Sequence, residues 1–294
     1  MKKTISKTKA DIGLLSVTFF WGTTFIVSKI ALTEISLLNY LAIRLTIAAI
    51  AMDLIAFKFR KQLNKQTIKH GMIIGIFLFF SYLFQMWGIQ YTTASNAGFI
   101  TGMHVALVPI FSVLFFKDKP QFASIIGVAL AFTGLFLLSG GSLSNLNIGD
   151  ILVFICAITV TFHVIFTGKF APKNNIYLLT AVQLSTTAFL SILFSFFSTN
   201  LLVELTLNIF LVLLYLALFG TVFTFLMQTA MQRFTTATRT ALVFAMEPVF
   251  AALFAYLIAG EKMTVLGWIG GIFILTGMIV AEINWLEIFN KSKY

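Results

Sequence analysis

The sequence predicts an all-α polytopic membrane protein of ten transmembrane helices, arranged as two inverted five-helix repeats. Composition is the first reason: 59% of the 294 residues are hydrophobic, 10% are charged, and the mean hydropathy is +0.99. An average soluble domain is roughly half apolar and about a quarter charged. Span-length apolar runs and an internal repeat are the other reasons. A water-soluble enzyme, a soluble binding domain and a soluble domain with a single anchor are therefore excluded.

Apolar runs separated by charged or turn-rich breaks fill the chain from Ile12 to Trp285. A membrane core about 30 Å thick needs roughly 20 helical residues, so ten spans with short loops account for the length. Uninterrupted stretches such as Met72–Phe80 lack the alternation of membrane β-strands. The predicted helices cover residues 11–30, 36–57, 71–91, 96–116, 121–139, 149–168, 176–197, 207–231, 238–259 and 264–285.

The first helix follows four lysines but ends without a small-residue cleavage site, so we interpret it as an uncleaved span. With the N-terminus inside, 17 of the 20 Lys and Arg residues fall on the inner side, Lys29 and Lys262 fall outside, and Arg44 lies within a span. Cytoplasmic loops carry an excess of Lys and Arg. Both termini are therefore predicted in the cytoplasm, with the chain in the cell membrane. The net charge of +10 indicates topology, and no nucleic-acid partner is expected.

Two shifts of the sequence align its halves. A shift of 143 residues pairs Gln85 with Gln228, Thr92-Thr93-Ala94 with Thr235-Thr236-Ala237, Asp118-Lys119 with Glu261-Lys262, Gly127 with Gly270, and Thr133-Gly134 with Thr276-Gly277. A shift of 139 pairs Thr24 with His163 and Arg44 with Gln183. Two repeats, residues 1–141 and 142–294, are predicted. Because five spans is an odd number, the second copy enters the membrane from the opposite side. Inverted repeats are typical of secondary transporters, whose substrate site lies near the midplane between them.

A few polar or interrupting residues inside the predicted spans are the candidates for a substrate site. The expected lining of the cavity is Trp21, Thr24, Arg44, Gln85, His104, His163, Gln183, Gln228 and Glu247.

Arg44 lies deep enough that membrane insertion costs at least about 2.5–3.5 kcal/mol. It either attracts an anionic group of a substrate, or holds its helix in place by snorkelling or pairing with backbone carbonyls. Glu247 is the one deeply placed acid and precedes Pro248, in the middle of the ninth predicted helix, where a kink is permitted. It either binds a proton or a cationic group, or fastens that helix to a neighbour. Glu247 and His104 are the candidates for proton coupling.

No resident cofactor is expected. The chain has one cysteine, Cys156, and its intramembrane histidines form no HExxH pair, so neither a disulfide nor a metal site is predicted. The sequence lacks GxxxxGK[ST], so this chain does not itself bind ATP through that motif. Paired acids for membrane-embedded hydrolysis are also missing, and an enzyme is not expected. The expected partners are a small-molecule substrate, the lipid bilayer and, in a homo-oligomer, a second copy.

Several motifs resemble the EamA family of the drug/metabolite transporter superfamily. They are Phe20-Trp21-Gly22-Thr23-Thr24-Phe25, Arg44, the run from Thr93 to Gly102, the run from Ala237 to Leu242, Glu247-Pro248-Val249-Phe250 and Gly260-Glu261. The resemblance covers almost the whole chain. It implies a ten-helix transporter with a central cavity between its halves, of a kind that often exports amino acids or other small metabolites.

The expected function is alternating-access export of a small polar or zwitterionic metabolite. An importer or facilitator of a sugar, nucleotide or amine remains the alternative, because gradients and not sequence set the direction.

Overall fold

A computed structural model describes residues 7–116, 122–138, 141, 147–197, 205–234, 240 and 243–282, and the regular structure in these residues is helical. The α-helices are α1 (Lys7–Ala31), α2 (Leu37–Ala56), α3 (Lys65–Gly88), α4 (Ala94–Gly102), α5 (His104–Phe116), α6 (Phe122–Leu138), α7 (Ile148–Phe170), α8 (Ile176–Ser195), α9 (Leu207–Ala217), α10 (Thr224–Met231), α11 (Glu247–Ala259) and α12 (Val265–Glu282). Short 3-10 turns, Phe57–Gln62 and Ala171–Lys173, follow α2 and α7.

Seven helical stretches among the described residues are long and apolar enough to cross a membrane. They are Lys9–Ala31, Leu37–Gln62, Lys65–Gly88, Ala94–Phe111, Ile148–Lys173, Ile176–Ser195 and Leu207–Met231. Three shorter apolar helices are Ile125–Leu138, Glu247–Ala259 and Val265–Val280. The predicted all-helical, multi-pass membrane protein is confirmed, while the count of ten spans stays a prediction.

Some sequence features lie outside the described residues. They are Asp118, Thr235-Thr236-Ala237, Trp285, the run from Ala237 to Leu242 except Thr240, and seven of the predicted inner basic residues, Lys2, Lys3, Lys117, Lys119, Arg239, Lys291 and Lys293. Around the predicted boundary between the repeats, the structure describes Gly141 and then resumes at residue 147. The division at residues 141 and 142 stays a prediction.

Two predicted helices are each divided in the structure. The helix expected at 96–116 is interrupted at Met103 between α4 and α5, where the Met103 amide donates to the Ile100 carbonyl. The helix expected at 207–231 contains a π-helical segment, Leu218–Phe223, between α9 and α10. The Thr221 hydroxyl donates to the Leu216 carbonyl five residues earlier, at 2.9 Å. Wide turns of this kind often occur at functional sites.

Glu247 does not lie in the middle of a helix, which corrects the sequence prediction. It is the first residue of α11, and Pro248 occupies the first turn. Proline fits there because the first turn leaves backbone amides without intrahelical partners, so a missing N–H loses nothing. The proline therefore starts α11 and does not kink it.

Glycines allow α6 and α12 to cross closely. A Cβ atom on Gly134 would lie 2.6 Å from the Gly270 carbonyl oxygen, and one on Gly270 would lie 2.6 Å from the Gly134 oxygen. A Cβ on Gly277 would likewise meet the Gly127 oxygen. In the 143-residue repeat, Gly270 is the counterpart of Gly127 and Gly277 of Gly134. The contacts are thus reciprocal, as a two-fold relation between two copies would produce.

The two ends of the bundle differ in charge and in their contacts. We call one end the basic face; it carries the Phe57–Gln62 turn and the loop after α7. The Asn175 amide donates to Gln62 at 2.8 Å, and the Thr67 hydroxyl donates to Asn174 at 2.9 Å. The other end, the opposite face, contains Lys29 and Glu261.

Candidate functional site

A cavity lies between helices from both halves of the chain. Its lining residues are Trp21, Thr24, Leu78, Ser81, Tyr82, Gln85, Thr101, Cys156, Val160, His163, Val164, Phe225 and Glu247. Helical spacing explains the grouping, since residues three and four apart share one face. The α3 contribution runs from Leu78 to Gln85 in such steps, and the α7 contribution runs from Cys156 to Val164.

The structure brings five of the nine predicted site residues to this cavity, namely Trp21, Thr24, Gln85, His163 and Glu247. The other four are buried outside its wall: Arg44, His104, Gln183 and Gln228.

Arg44 is 1% exposed, and its guanidinium is surrounded by hydroxyl groups. It donates to the Tyr40 hydroxyl at 2.6 Å, to Thr221 at 3.2 Å and to Tyr82 at 3.3 Å. A longer bond of 3.4 Å reaches Ser28. Its central carbon lies 4.8 Å from the centre of the Tyr82 ring. Within the described residues no carboxylate forms an ion pair with Arg44, so neutral oxygens and aromatic faces stabilise this buried charge.

Tyr82 connects Arg44 to the cavity, because the same side chain lines the wall and contacts the guanidinium. Arg44 itself does not line the cavity. The π-helical segment contributes to this arrangement in two ways. It directs the Thr221 hydroxyl at both Arg44 and Tyr82, and it brings Gly220 so close that a Cβ there would lie 3.3 Å from the Arg44 guanidinium.

Glu247 is the acidic side chain of the cavity wall. It is 4% exposed and lies in the first turn of α11. The carboxylate lies near Tyr82 and Cys156. In the part of the chain that the structure describes, no side chain forms an ion pair or a hydrogen bond with it. A solute inside the cavity therefore has access to an unpaired acidic group.

Aromatic rings enclose the cavity next to Glu247. The Trp21 ring centre lies 5.5 Å from that of Phe225, and the His163 ring contacts Phe225 edge-on at 5.4 Å. Tyr82 also meets Phe225, at 6.1 Å. Phe225 is thus the common neighbour of three other aromatic rings in the wall. Neutral polar groups complete the lining, and Gln85 donates to the Thr101 hydroxyl at 3.4 Å.

Most of the buried polar atoms without a partner among the described residues lie on α7, α8 and α10. They are His163 Nε2, the hydroxyls of Thr167 and Thr180, and the side-chain amides of Gln183 and Gln228; the others belong to His104, Gln232 and Thr240. Gln183 lies beside His163 outside hydrogen-bonding geometry. Thr167 and Thr180 lie near the helix ends at the basic face. Unpaired buried polar groups are costly, so water or solute atoms are expected between the cavity and this face.

His104 does not line the cavity, and its ring packs near Phe244. The centre of the Phe244 ring lies 6.2 Å from that of His104 and 5.2 Å from that of Trp21. The His104 Nδ1 atom lies 2.9 Å from the Thr101 carbonyl, and Nε2 has no partner among the described residues.

Polar contacts close the bundle at the opposite face. Lys29 donates to the Thr92 carbonyl at 2.9 Å and to Glu261 at 3.1 Å. Glu261 also accepts from the backbone amides of Ala94 and Ser95, each at 3.2 Å. Partial burial alone would raise the pKa of the Glu261 carboxyl, but these donors together lower that pKa below its ordinary value. The ionised carboxylate therefore joins α1, α4 and the loop after α11.

Sequence reasoning missed several wall residues, including Ser81, Tyr82, Thr101 and Phe225. Ser81 and Tyr82 lie one turn before Gln85, so helical spacing from that glutamine was a usable signal. Phe225 is one of 34 phenylalanines, and nothing in the sequence separates it from those that face lipid. No group of three or more His, Cys, Asp or Glu side chains able to hold a metal ion occurs in the described ranges.

Comparison with known proteins places the chain among membrane transporters. The model of the EamA-like transporter family matches residues 8–140 and 147–282. The chain is 35% identical to an uncharacterized transporter from Archaeoglobus fulgidus over 280 residues, which cover 95% of this chain and 88% of the relative. It is 24% identical to the uncharacterized transporter YoaV of Bacillus subtilis, over 92% and 96% of the two chains. A crystal structure with 18% identity has a TM-score of 0.70 over 96% of this chain and 98% of its own, which indicates a shared fold.

Proposed function

Because the chain belongs to the EamA-like transporter family, we propose that it is a secondary transporter that exports a small polar or zwitterionic metabolite across the cell membrane by alternating access. The observation that carries the proposal is the cavity, whose wall comes from both halves of the chain and contains the unpaired Glu247 carboxylate. Small-molecule sites commonly combine an apolar wall with a few polar groups that orient the ligand.

The proposed architecture is ten spans in two inverted repeats, with both termini in the cytoplasm. Seven long helices and three shorter apolar ones supply ten candidates for the spans. The reciprocal contacts of Gly134 with Gly270 and of Gly277 with Gly127 support a two-fold relation between the halves. Two similar halves in opposite orientation can exchange conformations, which gives inward-open and outward-open states of similar energy.

Reconstitution tests the transport function. The purified chain in proteoliposomes should accelerate the flux of at least one member of a panel of radiolabelled amino acids, amines, nucleosides and sugars. Protein-free liposomes and heat-denatured protein are the controls. If no solute crosses faster than in these controls, or if a solute leaves chemically altered, the proposal of a transporter that is not an enzyme fails.

Direction is the point on which the alternative differs. An importer or facilitator of a sugar, nucleotide or amine would use the same cavity, because the gradients decide which way a solute moves. Cells lacking the gene should retain more of the solute if the protein exports it, and should accumulate it more slowly if the protein imports it. Export is contradicted if efflux is unchanged while uptake falls.

Exchange with protons is the proposed energy source. Glu247 is the candidate proton carrier because its carboxyl group lies in the cavity wall, and His104 is the second candidate, buried outside that wall. An imposed pH gradient should drive solute flux into proteoliposomes, and Glu247→Gln should abolish that response. Flux that is insensitive to the gradient in the wild-type protein would exclude proton coupling.

A further inference from the structure

We propose that the solute is a small organic cation whose ammonium group pairs with Glu247 while its apolar body lies against Trp21 and Phe225. The inference rests on the proposed function, since it names the class of solute for the same cavity. The proposed function allows any small polar or zwitterionic solute. The present inference limits this class to solutes with a positively charged group that the cavity binds.

The charges around the cavity are the first argument. Glu247 is ionisable as an acid, and no Lys or Arg side chain lies among the described residues of the wall. Arg44 is the nearest cationic candidate from the sequence, but its donors are directed at Tyr40, Thr221 and Tyr82. A solute carboxylate in this cavity would thus meet an acidic group and no Lys or Arg side chain of the described wall.

The unpaired state of Glu247 is the second argument. A buried carboxylate needs a donor or a counter-ion, and no described side chain supplies one. An ammonium group supplies both the charge and the hydrogen-bond donors. Further acceptors for its N–H groups are near, because the Thr101 and Ser81 hydroxyls line the same cavity.

The aromatic wall is the third argument. Ring faces carry negative electrostatic potential, and cations are attracted to them most strongly over Trp and also over Tyr and Phe. Trp21, Tyr82 and Phe225 lie in the wall together, with centres of neighbouring rings 5.5 and 6.1 Å apart. The acidic group and the ring faces beside it both attract an ammonium group. The rings also pack against the apolar body of the solute.

Phenethylamine is a suitable probe for the proposed site, because it carries one ammonium group two carbons from one aromatic ring. Three analogues keep the phenyl ring and differ in their polar group and charge: phenylacetate is an anion, 2-phenylethanol is neutral and phenylalanine is a zwitterion.

Calorimetric titration of the purified, full-length protein with these four probes tests the inference without requiring transport. Phenethylamine should bind about tenfold more tightly than 2-phenylethanol, and phenylacetate more weakly still. Glu247→Gln should weaken phenethylamine binding by about tenfold or more. Glu34→Gln makes the same chemical change at an exposed loop position and should leave binding unchanged. Glu247→Asp keeps the charge and should bind better than Glu247→Gln, which separates a site role from a folding defect.

The inference is overturned if phenylacetate binds as tightly as phenethylamine, or if folded Glu247→Gln binds phenethylamine like the wild-type protein. Parallel flux measurements keep the two proposals apart. Binding of the amine without flux of any panel solute contradicts the transport function and supports the cation site. Flux of another solute with no binding of the amine contradicts the cation site and supports the transport function.

Discussion

The Lys29 ammonium lies 3.1 Å from the Glu261 carboxylate, and this ion pair joins the end of α1 to the loop between α11 and α12. Because Glu261 also accepts from two backbone amides at the start of α4, three elements beside the cavity are fastened together. These contacts lie at the opposite face, whereas Thr167 and Thr180, whose buried hydroxyls have no described partner, lie near the helix ends at the basic face. Opening toward the opposite face would require the Glu261 contacts to break.

Replacing Glu261 tests this closure through its pH dependence. The folded protein lowers the pKa of Glu261, so its ionisation contributes stability that is fully present above the ordinary glutamate value of 4.5. That contribution is lost as the pH falls through the lowered pKa. At neutral pH, Glu261→Gln should reduce the free energy of unfolding by about 1–2 kcal/mol.

Thermal unfolding of both proteins between about pH 3 and about pH 7 measures the effect. The difference between wild type and Glu261→Gln should shrink at the acidic end of this range. Glu34→Gln, which changes an exposed carboxylate, serves as the control. A difference that stays constant or grows as the pH falls would contradict the assigned role of Glu261.

Arg44→Lys tests whether this arginine supports the fold and stays outside the binding site. Lysine cannot reproduce a guanidinium that donates to several hydroxyls at once. The free energy of unfolding should fall by about 3 kcal/mol, while the dissociation constant for phenethylamine should change by less than about threefold. Tyr40→Phe, which removes the shortest bond to Arg44, should give a smaller effect of the same kind. If phenylacetate or phenylalanine binds to the wild-type protein and loses affinity in folded Arg44→Lys, the guanidinium would belong to the site.

Gly270→Ala tests the crossing of α6 and α12. The added Cβ would lie 2.6 Å from the backbone of both Gly134 and Leu138, and a backbone cannot move aside as a flexible side chain can. The free energy of unfolding of Gly270→Ala should be lower than that of the wild-type protein by about 1–3 kcal/mol. Gly168→Ala is the matched control, because no neighbouring atom lies within 4 Å of its added Cβ. It should be neutral or stabilising by up to about 1 kcal/mol. Equal melting temperatures for both variants would contradict the close crossing.

Hydropathy was sufficient to predict the helical, multi-pass class, because the membrane core accepts only apolar, internally bonded segments. Hydropathy does not show which distant helices are in contact. Tyr40 lies one turn from Arg44 and was a readable signal, but Thr221 lies 177 residues away and reaches Arg44 only after folding. Gln85 and Gln228 show the same limit: the repeat makes them equivalent, yet Gln85 lines the cavity and Gln228 is buried away from it. The repeat shows that the two glutamines occupy equivalent positions in the sequence. The side chains that surround each of them depend on how the helices of the two halves pack.

The central claim is that solutes reach the cavity at Glu247 alternately from both faces, and Cys156 offers a direct measurement. It is the chain's one cysteine, and it lines the cavity near Glu247. We would measure its modification by a small, cationic, membrane-impermeant methanethiosulfonate in right-side-out and inside-out vesicles, with Cys156→Ser as the unreactive control. We expect modification from both faces, slower in the presence of phenethylamine, and faster from the opposite face in Glu261→Gln. Modification from one face alone in both the wild-type protein and Glu261→Gln, or from neither face, would contradict alternating access to this cavity.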